Sequence, residues 1–313
     1  MKKRLLLTLL LALTLIGKAQ AQLATCTPTV SPPSIPALDP LANPTYDTTA
    51  NLSVTCKGVD LTVSFCFTIG NGSGGVNSNG QRLLTGPSGN TVPFQFFTNS
   101  SRTQVWNTSS VFQLPLTLLG SATVNVPIYL RFYLNQTTPG TYSSTFSGND
   151  ALLQYGIGSI LSCNLLTTKA TTSFTVQLTL GKSCVLSAIS PVAFGNVTVT
   201  SLMGNVTAIG GLSVQCTNTT PYTVGLDNGQ GIGVTNPAAR KMTGPGGATL
   251  TYGLYQDSAH SLVWGNTTGT GGNTQGGTGS GTVTAYTVYG LMPPQTTPTA
   301  GTYNDTVTIT VTY

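Results

Sequence analysis

Apolar and polar positions alternate strictly in several stretches of the chain. In the last stretch the apolar positions, separated by threonines, are Val307, Ile309, Val311 and Tyr313. In the stretch TTSFTVQLTL they are Phe174, Val176, Leu178 and Leu180. A period of two is typical of a β-strand with one buried face. Because glycine-, asparagine- and proline-rich stretches separate such runs, the pattern predicts an all-β fold with short strands and tight turns.

The chain also repeats itself. RLLTGPSGNTVPFQFFTNSSRTQVW, at 82–106, matches RKMTGPGGATLTYGLYQDSAHSLVW, at 240–264, with an offset of 158 residues. LSVTC, LSVQC, PGTYSSTF and AGTYNDTV are further matching segments. Self-similarity at this distance indicates two copies of one β-domain, at about 26–165 and 184–313.

The six cysteines follow the repeat. Cys26 and Cys56 of the first copy match Cys184 and Cys216 of the second copy. Equivalent cysteines are expected to pair equivalently, which predicts the disulfides Cys26–Cys56 and Cys184–Cys216. Cys66 and Cys163 occur only in the first copy and are left to pair with each other. An even number of cysteines with disulfides is typical of an exported protein.

The first residues predict export. Lys2, Lys3 and Arg4 precede an apolar run and the small-residue site Ala19-Gln20-Ala21, so 1–21 is predicted to be a signal peptide. Four of the twelve basic residues lie in this segment, and the remaining eight face seven acidic residues. The mature chain is thus close to neutral, which argues against a nucleic-acid partner.

Three features resemble the spore coat protein U domain, the subunit fold of archaic chaperone–usher pili. They are an early cysteine followed by an LSVxC strand, the stretch TGPGGATLTYGLYQDSAHSLVWGN and the final AGTYNDTVTITVTY. The resemblance is strongest over 184–313 and weaker over 26–165, where FQFFTNSS stands in for YGLYQDSA. It implies two immunoglobulin-like β-sandwich domains in tandem, at 22–170 and 184–313, joined by a linker or donor-type strand at 171–183.

Members of this family lack one strand of the sandwich, and a strand from another protein fills the resulting groove. The resemblance therefore implies that the C-terminal domain is incomplete and completed by donor-strand complementation, with Val307, Ile309, Val311 and Tyr313 lining the groove. It implies a periplasmic chaperone, an outer-membrane usher and an adjacent pilin as partners. The strand of Phe174, Val176, Leu178 and Leu180 is expected to complete the first domain in cis; an ordinary last strand of that domain is nearly the same arrangement.

Only QLAT precedes Cys26 in the predicted mature chain, which is too short for a donor strand. A subunit that accepts a strand but donates none is expected at the end of a fibre. We therefore expect export through the periplasm to the cell surface and a position at the pilus tip. By analogy with two-domain tip subunits, the hypothesis is an adhesin that mediates surface attachment and biofilm formation, and the alternative is a non-adhesive structural pilus or coat subunit.

Three apolar segments of the first copy, 34–41, 111–120 and 151–161, have no counterpart in the second copy. Pro36, Pro40 and Pro115 argue against regular central strands there. As exposed loops they would form an apolar patch that binds an abiotic or host surface. The candidate adhesive residues are Leu38, Leu41, Val111, Phe112, Leu114, Leu116, Leu152, Leu153, Tyr155 and Ile157. The alternative is that these segments are core strands.

Other chemistry has little support in the sequence. His260 is the single histidine, the seven aspartates are scattered and no CxxC occurs, so no catalytic residue, metal ligand or cofactor is predicted. The glycine-rich stretches at 70–80 and 269–281 lack the Lys-Ser/Thr of a phosphate-binding loop. A carbohydrate site built on Trp106, Asn107 and Asn99 is a weaker alternative, because Trp106 matches Trp264 in the other copy.

Overall fold

The computed structural model describes residues 24–58, 61–106, 111–116 and 120–313. The predicted signal peptide and Asn107 lie outside these ranges. The described chain is almost entirely β-strand and turn, arranged as two β-sandwich domains in tandem, as predicted. None of its helices is long and apolar enough to cross a membrane.

Domain 1 is the first sandwich. Its strands in the described residues are β1 (Ala24–Ser31), β2 (Thr45–Gly58), β3 (Leu61–Ile69), β4 (Arg82–Thr85), β5 (Thr91–Phe97), β6 (Val111–Leu116), β7 (Gly120–Tyr133), β8 (Gly140–Ile157) and β9 (Thr168–Leu180). They pair in the order β1-β2-β7-β5-β4-β8-β3-β6, and β9 pairs with β8. The sheet folds around one apolar core, because alternate residues of each strand point inward.

Domain 2 is the second sandwich. Its strands are β10 (Cys184–Ser190), β11 (Val206–Cys216), β12 (Pro221–Leu226), β13 (Arg240–Thr243), β14 (Thr249–Tyr255), β15 (Gln275–Thr278), β16 (Val283–Met292) and β17 (Ile309–Thr312). One sheet has the order β10-β11-β16-β14-β13 and the other has the order β15-β12-β17. The two sheets enclose a smaller core than that of domain 1.

The structure contains the three predicted disulfides. Cys26–Cys56 joins β1 to β2, and Cys184–Cys216 joins β10 to β11 at the same place in domain 2. Cys66–Cys163 links β3 to the loop that follows β8, across 97 residues of sequence. A crosslink over such a long separation removes much of the conformational freedom of the unfolded chain.

A buried arginine and a buried tryptophan connect strands and loops across the core of each domain. In domain 2, Arg240 donates hydrogen bonds to the backbone oxygens of Leu226 and Trp264, at 3.0 and 2.8 Å. The indole nitrogen of Trp264 donates to the oxygen of Val224, at 2.9 Å. In domain 1, Arg82 donates to the oxygen of Ile69, and Trp106 donates to the oxygen of Phe67. These shared contacts make Ile69 equivalent to Leu226, and Phe67 equivalent to Val224.

The domains meet where β9 leads into β10. Ser183 donates a hydrogen bond to Asp39 of domain 1, and Asn218 of domain 2 donates to Thr137 and Thr138, which directly precede β8. Strand β8 has 18 residues and runs away from this junction. At about 3.3 Å per residue, its far end at Ile157 lies tens of ångströms from domain 2.

Candidate functional site: an open groove in domain 2

Domain 2 contains a large groove beside the segment that leads into β17. The groove has a volume of about 1070 Å³ and lies between residues 189–199 and 297–309. Its floor is formed by buried and half-buried side chains of the two sheets. Those on β13 and β14, and on the neighbouring strand β16, are Met242, Leu250, Tyr252, Leu254, Val288 and Met292.

In domain 1 the same place is filled by β9. The repeat makes Leu84, Val92, Phe94 and Phe96 equivalent to Met242, Leu250, Tyr252 and Leu254. Over this floor lies the inward face of β9. Its four apolar side chains are between 1 and 6% exposed: Phe174, Val176, Leu178 and Leu180. The ring of Phe174 stacks on Phe146 with centroids 4.9 Å apart and meets Phe96 edge-on.

Strand β9 is held along both edges. It runs antiparallel to β8 from Gly140↔Leu180 to Ser147↔Ser173, and again from Leu152↔Thr171 to Tyr155↔Thr168. On its other side the backbone nitrogen of Leu38 donates to the oxygen of Thr179, at 2.9 Å. The structure thus places the predicted donor-type strand inside its own domain, between β8 and the segment that follows β1.

None of the described residues of this chain covers the last strand of domain 2 in this way. Tyr303 and Tyr142 are equivalent, since each donates its hydroxyl hydrogen to the backbone oxygen four residues earlier, Thr299 and Thr138. Tyr142 is fully buried beneath β9, whereas Tyr303 is only half-buried. Three predicted groove residues are also half-buried although they pack against the core: Val307, Ile309 and Val311. Tyr313 is 57% exposed.

The pairing with the neighbouring strand shows how the two domains correspond here. In domain 1, Ile69 lies opposite Ala151 and Phe67 opposite Leu153. In domain 2 the equivalent pairs are Leu226 with Ile309 and Val224 with Val311. Leu153 is therefore equivalent to Val311, and by the same alternation Tyr155 is equivalent to Tyr313.

This correspondence corrects the interpretation of 151–156, the first part of the segment 151–161, as an exposed loop. Residues 151–157 belong to β8; Leu153 and Tyr155 are 0 and 4% exposed, and Leu152 is half-buried. Strand β8 thus continues under β9, because residues 150–155 of domain 1 are equivalent to residues 308–313, TITVTY, of domain 2. Among the described candidate side chains, Ile157 at the end of β8 is exposed.

The other two apolar segments also differ from the loop interpretation. Residues 111–116 form β6, where Pro115 is tolerated because β6 is the edge strand of the described sheet, next to β3. Phe112 is half-buried against Phe65 and Trp106. The side chains of Val111, Leu114 and Leu116 lie outside the described part of the structure.

Leu38 and Leu41 are not at the far end of domain 1. Leu38 bridges to Leu180 and packs on the core, and both leucines are half-buried. The neighbouring Asp39 bonds Ser183, so this segment lies at the junction between the domains. It therefore belongs to the wall that holds β9.

Exposed apolar side chains occur at the last residue of β8 and in the loop that follows it. Leu161 is 83% exposed and Leu165 is 67% exposed, and Ile157 is 40% exposed. The Cys66–Cys163 disulfide ties this loop to β3. A fixed apolar loop at the end of a domain is a feature of binding surfaces. The sequence signal was a cysteine pair without counterpart in the repeat, which marks a loop that only domain 1 possesses.

Two aspartates fix the wall of the groove in domain 2. Asp227 accepts hydrogen bonds from the backbone nitrogens of Gly229 and Thr308, both at 2.9 Å. Asp305 accepts from the backbone nitrogen of Gln230, at 2.7 Å, and from the hydroxyl of Tyr252, at 2.6 Å. These bonds tie the loop after β12 to the segment 303–312, which ends in β17 and is called the open strand below. They help to keep the open strand in place although no described strand pairs with its outer edge.

Protonation of Asp227 is expected to loosen this wall. Its burial acts to raise its pKa, but the hydrogen bonds from Thr308 and Gly229 and the charge of Arg240 outweigh it, so the pKa lies below its ordinary value of 3.8. The stability that the carboxylate contributes is therefore fully present above that ordinary value and is lost as pH falls through the lower folded-state pKa. In Asp227→Asn, the fall in unfolding free energy of domain 2 below about pH 4 should be shallower than in the parent protein. Denaturant unfolding at several pH values measures this, and parallel curves would contradict it.

The carbohydrate alternative finds no support in the geometry. Trp106 is 1% exposed and its indole nitrogen donates to the backbone oxygen of Phe67, so its ring forms part of the core. Within the described ranges no three His, Cys, Asp or Glu side chains form a group that could hold a metal ion.

Two tandem β-sandwiches, one closed by its own strand and one with an open groove, define the class of this protein. The model of the Spore Coat Protein U domain matches residues 13–148 and 170–310. The chain belongs to the spore coat protein U domain family.

Comparison with known proteins gives relatives in sequence and in fold. Protein U of Myxococcus xanthus is 35% identical over 122 residues, which cover 37% of this chain and 66% of that protein. The tip adhesion subunit CsuE, in the pre-assembly complex with chaperone CsuC of the archaic chaperone–usher Csu pili of Acinetobacter baumannii, has a TM-score of 0.55. It is 17% identical, and the match covers 92% of this chain and 100% of that chain. The CupB6 tip adhesin of Pseudomonas aeruginosa is 10% identical, with a TM-score of 0.38 and coverage of 92% and 94%.

Proposed function

We propose that this protein is a two-domain tip adhesin of a chaperone–usher pilus. Domain 2 joins the fibre by accepting a donor strand, and domain 1 binds a surface. One observation carries the proposal: domain 2 has an open groove where domain 1 holds β9. The same fold is therefore present in a complete and an incomplete form within one chain.

The groove is suited to an extended strand. The open strand and the segment 189–199 offer two walls, and the floor between them is apolar. In β-augmentation the backbone of the added strand satisfies a bare sheet edge, and alternate side chains enter the pockets. An uncovered groove of this kind promotes aggregation, so a periplasmic chaperone must cover it until an outer-membrane usher brings the adjacent pilin.

A position at the tip is supported by how β9 is used. The donor-type strand is already paired with β8 and cannot serve a neighbour without opening domain 1. The chain therefore offers an acceptor groove and keeps its donor-type strand for itself, as a terminal subunit of a head-to-tail fibre requires. Export through the periplasm to the cell surface follows from this role.

The surface-binding site is proposed at the far end of domain 1. Ile157, Leu161 and Leu165 present apolar side chains there, opposite the junction with domain 2. Their neutral, apolar character favours a hydrophobic abiotic or host surface, and attachment through many tips would support biofilm formation.

Replacing Leu161 and Leu165 by serine is expected to reduce the affinity for a hydrophobic surface by about a hundredfold or more, since burying each leucine side chain on binding contributes roughly 1.5–3 kcal/mol. Adsorption of the mature protein to polystyrene and to clean glass, followed on a quartz-crystal microbalance, measures the effect. The matched control is Ile232→Ser, because Ile232 is 85% exposed in domain 2. Unchanged adsorption of the double variant would favour the non-adhesive structural subunit instead.

A further inference from the structure

Tyr252 on the floor of the groove and Asp305 on its wall form a polar point beside the apolar floor. The hydroxyl of Tyr252 donates to Oδ2 of Asp305, at 2.6 Å, and both residues line the groove. Oδ1 of the same carboxylate accepts from the backbone nitrogens of Gln230 and Thr306, at 2.7 and 2.8 Å. Burial raises the pKa of Tyr252, and its hydrogen bond to Asp305 raises that pKa further, so the hydroxyl keeps its proton at neutral pH.

Domain 1 has different residues at these two positions. Tyr252 lies opposite Arg240, as Phe94 lies opposite Arg82, so Phe94 is the equivalent of Tyr252. Asp305 follows Asn304, which bridges to Thr243, and Ser144 follows Ser143, which bridges to the equivalent Thr85. Ser144 is thus the equivalent of Asp305. The complete domain has a phenyl ring and a serine where the open domain has a phenol and a carboxylate.

Strand β9 shows which donor residue faces this point. Val176 lies directly opposite Ser144, and both side chains are 1% exposed. The hydroxyl oxygen of Ser144 accepts a hydrogen bond from the backbone nitrogen of Gly74, at 3.2 Å. The hydroxyl therefore keeps a hydrogen-bond partner beside the apolar Val176. A donor in domain 2 that follows the same register places its corresponding residue beside Asp305 and Tyr252.

An apolar side chain at that position would bury a carboxylate without giving it a further partner. A carboxylate offers about four acceptor sites, and the bonds described here occupy three of those on Asp305. The oxygen of Tyr252 can also accept one bond. Burying charged and polar groups without compensation is unfavourable, whereas a hydrogen bond to a charged group is among the strongest that proteins make.

We propose that the Tyr252–Asp305 pair selects the incoming strand and its register. The preferred donor has alternating apolar side chains, but it carries a hydrogen-bond-donating side chain such as threonine at the position that Val176 holds in β9. A slip by two residues would put an apolar side chain on the carboxylate, so the pair also penalises wrong registers. This inference rests on the proposed function of the groove.

Two peptides test the selection directly. One has the β9 sequence TSFTVQLTL, and the other is TSFTTQLTL, in which the central valine is replaced by the nearly isosteric threonine. Binding of each fluorescently labelled peptide to the mature protein, freed from any chaperone, is measured by anisotropy. The threonine peptide should bind about tenfold more tightly, which corresponds to one charge-assisted hydrogen bond.

The double variant Tyr252→Phe/Asp305→Ser is the matched control, since it restores the pair found in domain 1. It should bind the valine peptide at least as tightly as the threonine peptide. If the double variant binds neither peptide, Asp305→Asn is tested instead, because asparagine keeps the shape of the side chain and removes its charge. The preference of Asp305→Asn for the threonine peptide should be several-fold smaller than that of the parent protein. An undiminished preference would overturn the inference. Equal binding of both peptides to the parent protein would also overturn it. If the parent protein binds neither peptide, the proposed function of the groove fails as well.

Discussion

A donor strand fused after Tyr313 is expected to raise the unfolding free energy of domain 2 by about 3–6 kcal/mol. Burying four apolar side chains contributes roughly 1.5–3 kcal/mol each, and the ordering of the added residues offsets part of this gain. The fused segment is TSFTVQLTL behind a flexible linker. In domain 1, β8 and β9 are joined by residues 158–167, so a linker of about twelve residues lets the fused strand fold back antiparallel.

Differential scanning calorimetry of the fused mature protein measures the shift, which should reach about 10 °C or more for the transition of domain 2. The fusion should also suppress aggregation, since it covers the sheet edge that is open in the free protein. The matched control replaces the four apolar residues of the fused strand by serine, which leaves length and linker unchanged. If the control and the apolar strand give the same transition temperature, the groove is not a strand-binding site.

Much of the fold could be predicted because the repeat links local patterns to one another. Trp106 and Trp264, like Cys26 and Cys184, are 158 residues apart, and Cys56 and Cys216 are 160 residues apart. The repeat therefore predicted that the two tryptophans have equivalent structural roles and that these four cysteines form two equivalent pairs. The structure shows both. The alternation of Phe174, Val176, Leu178 and Leu180 was readable because the strand is regular, and it lies in the sheet as the pattern indicates.

The interpretation of 151–156 as part of an exposed loop was wrong for a physical reason. Strand β8 contains a bulge after Ser147, where Gly148 adopts a φ of 57° and the register with β9 shifts. The extra residues break the period of two, so the match between PGTYSSTF and AGTYNDTV cannot be extended to Leu153. Bulges re-aim a strand without ending it, and a linear pattern does not distinguish a bulge from the start of a loop.

The polar point in the groove was beyond reach of the sequence alone. Tyr252 and Asp305 are 53 residues apart, and Asp305 occupies an otherwise apolar position of the final alternation, but the alternation does not show which residue the carboxylate meets. Only the register of β14 and of the open strand brings the phenol and the carboxylate together. Contacts between strands that are distant in sequence depend on topology, which periodicity does not encode.

The equivalent residues Leu153 and Val311 should respond very differently to a charge. Leu153 is fully buried under β9, so Leu153→Asp is expected to lower the unfolding free energy of domain 1 by about 4 kcal/mol or more. Val311 is half-buried beside the open groove, so Val311→Asp should cost the free protein about 1 kcal/mol or less. The same change should abolish the stabilisation by a fused donor strand, because the strand would then bury the new carboxylate.

Calorimetry that resolves the two domains measures both effects. The matched controls are the outward-facing neighbours, Gln154→Asp in domain 1 and Thr312→Asp in domain 2, which should both be tolerated. A similar large loss for Leu153→Asp and Val311→Asp would mean that domain 2 is already closed, and the groove would lose its role. A large loss for Leu153→Asp alone would show that the same strand is a core element in one domain and an uncovered wall in the other. The difference between the two domains then comes from β9, which is present in domain 1 and has to be supplied to domain 2 by another protein.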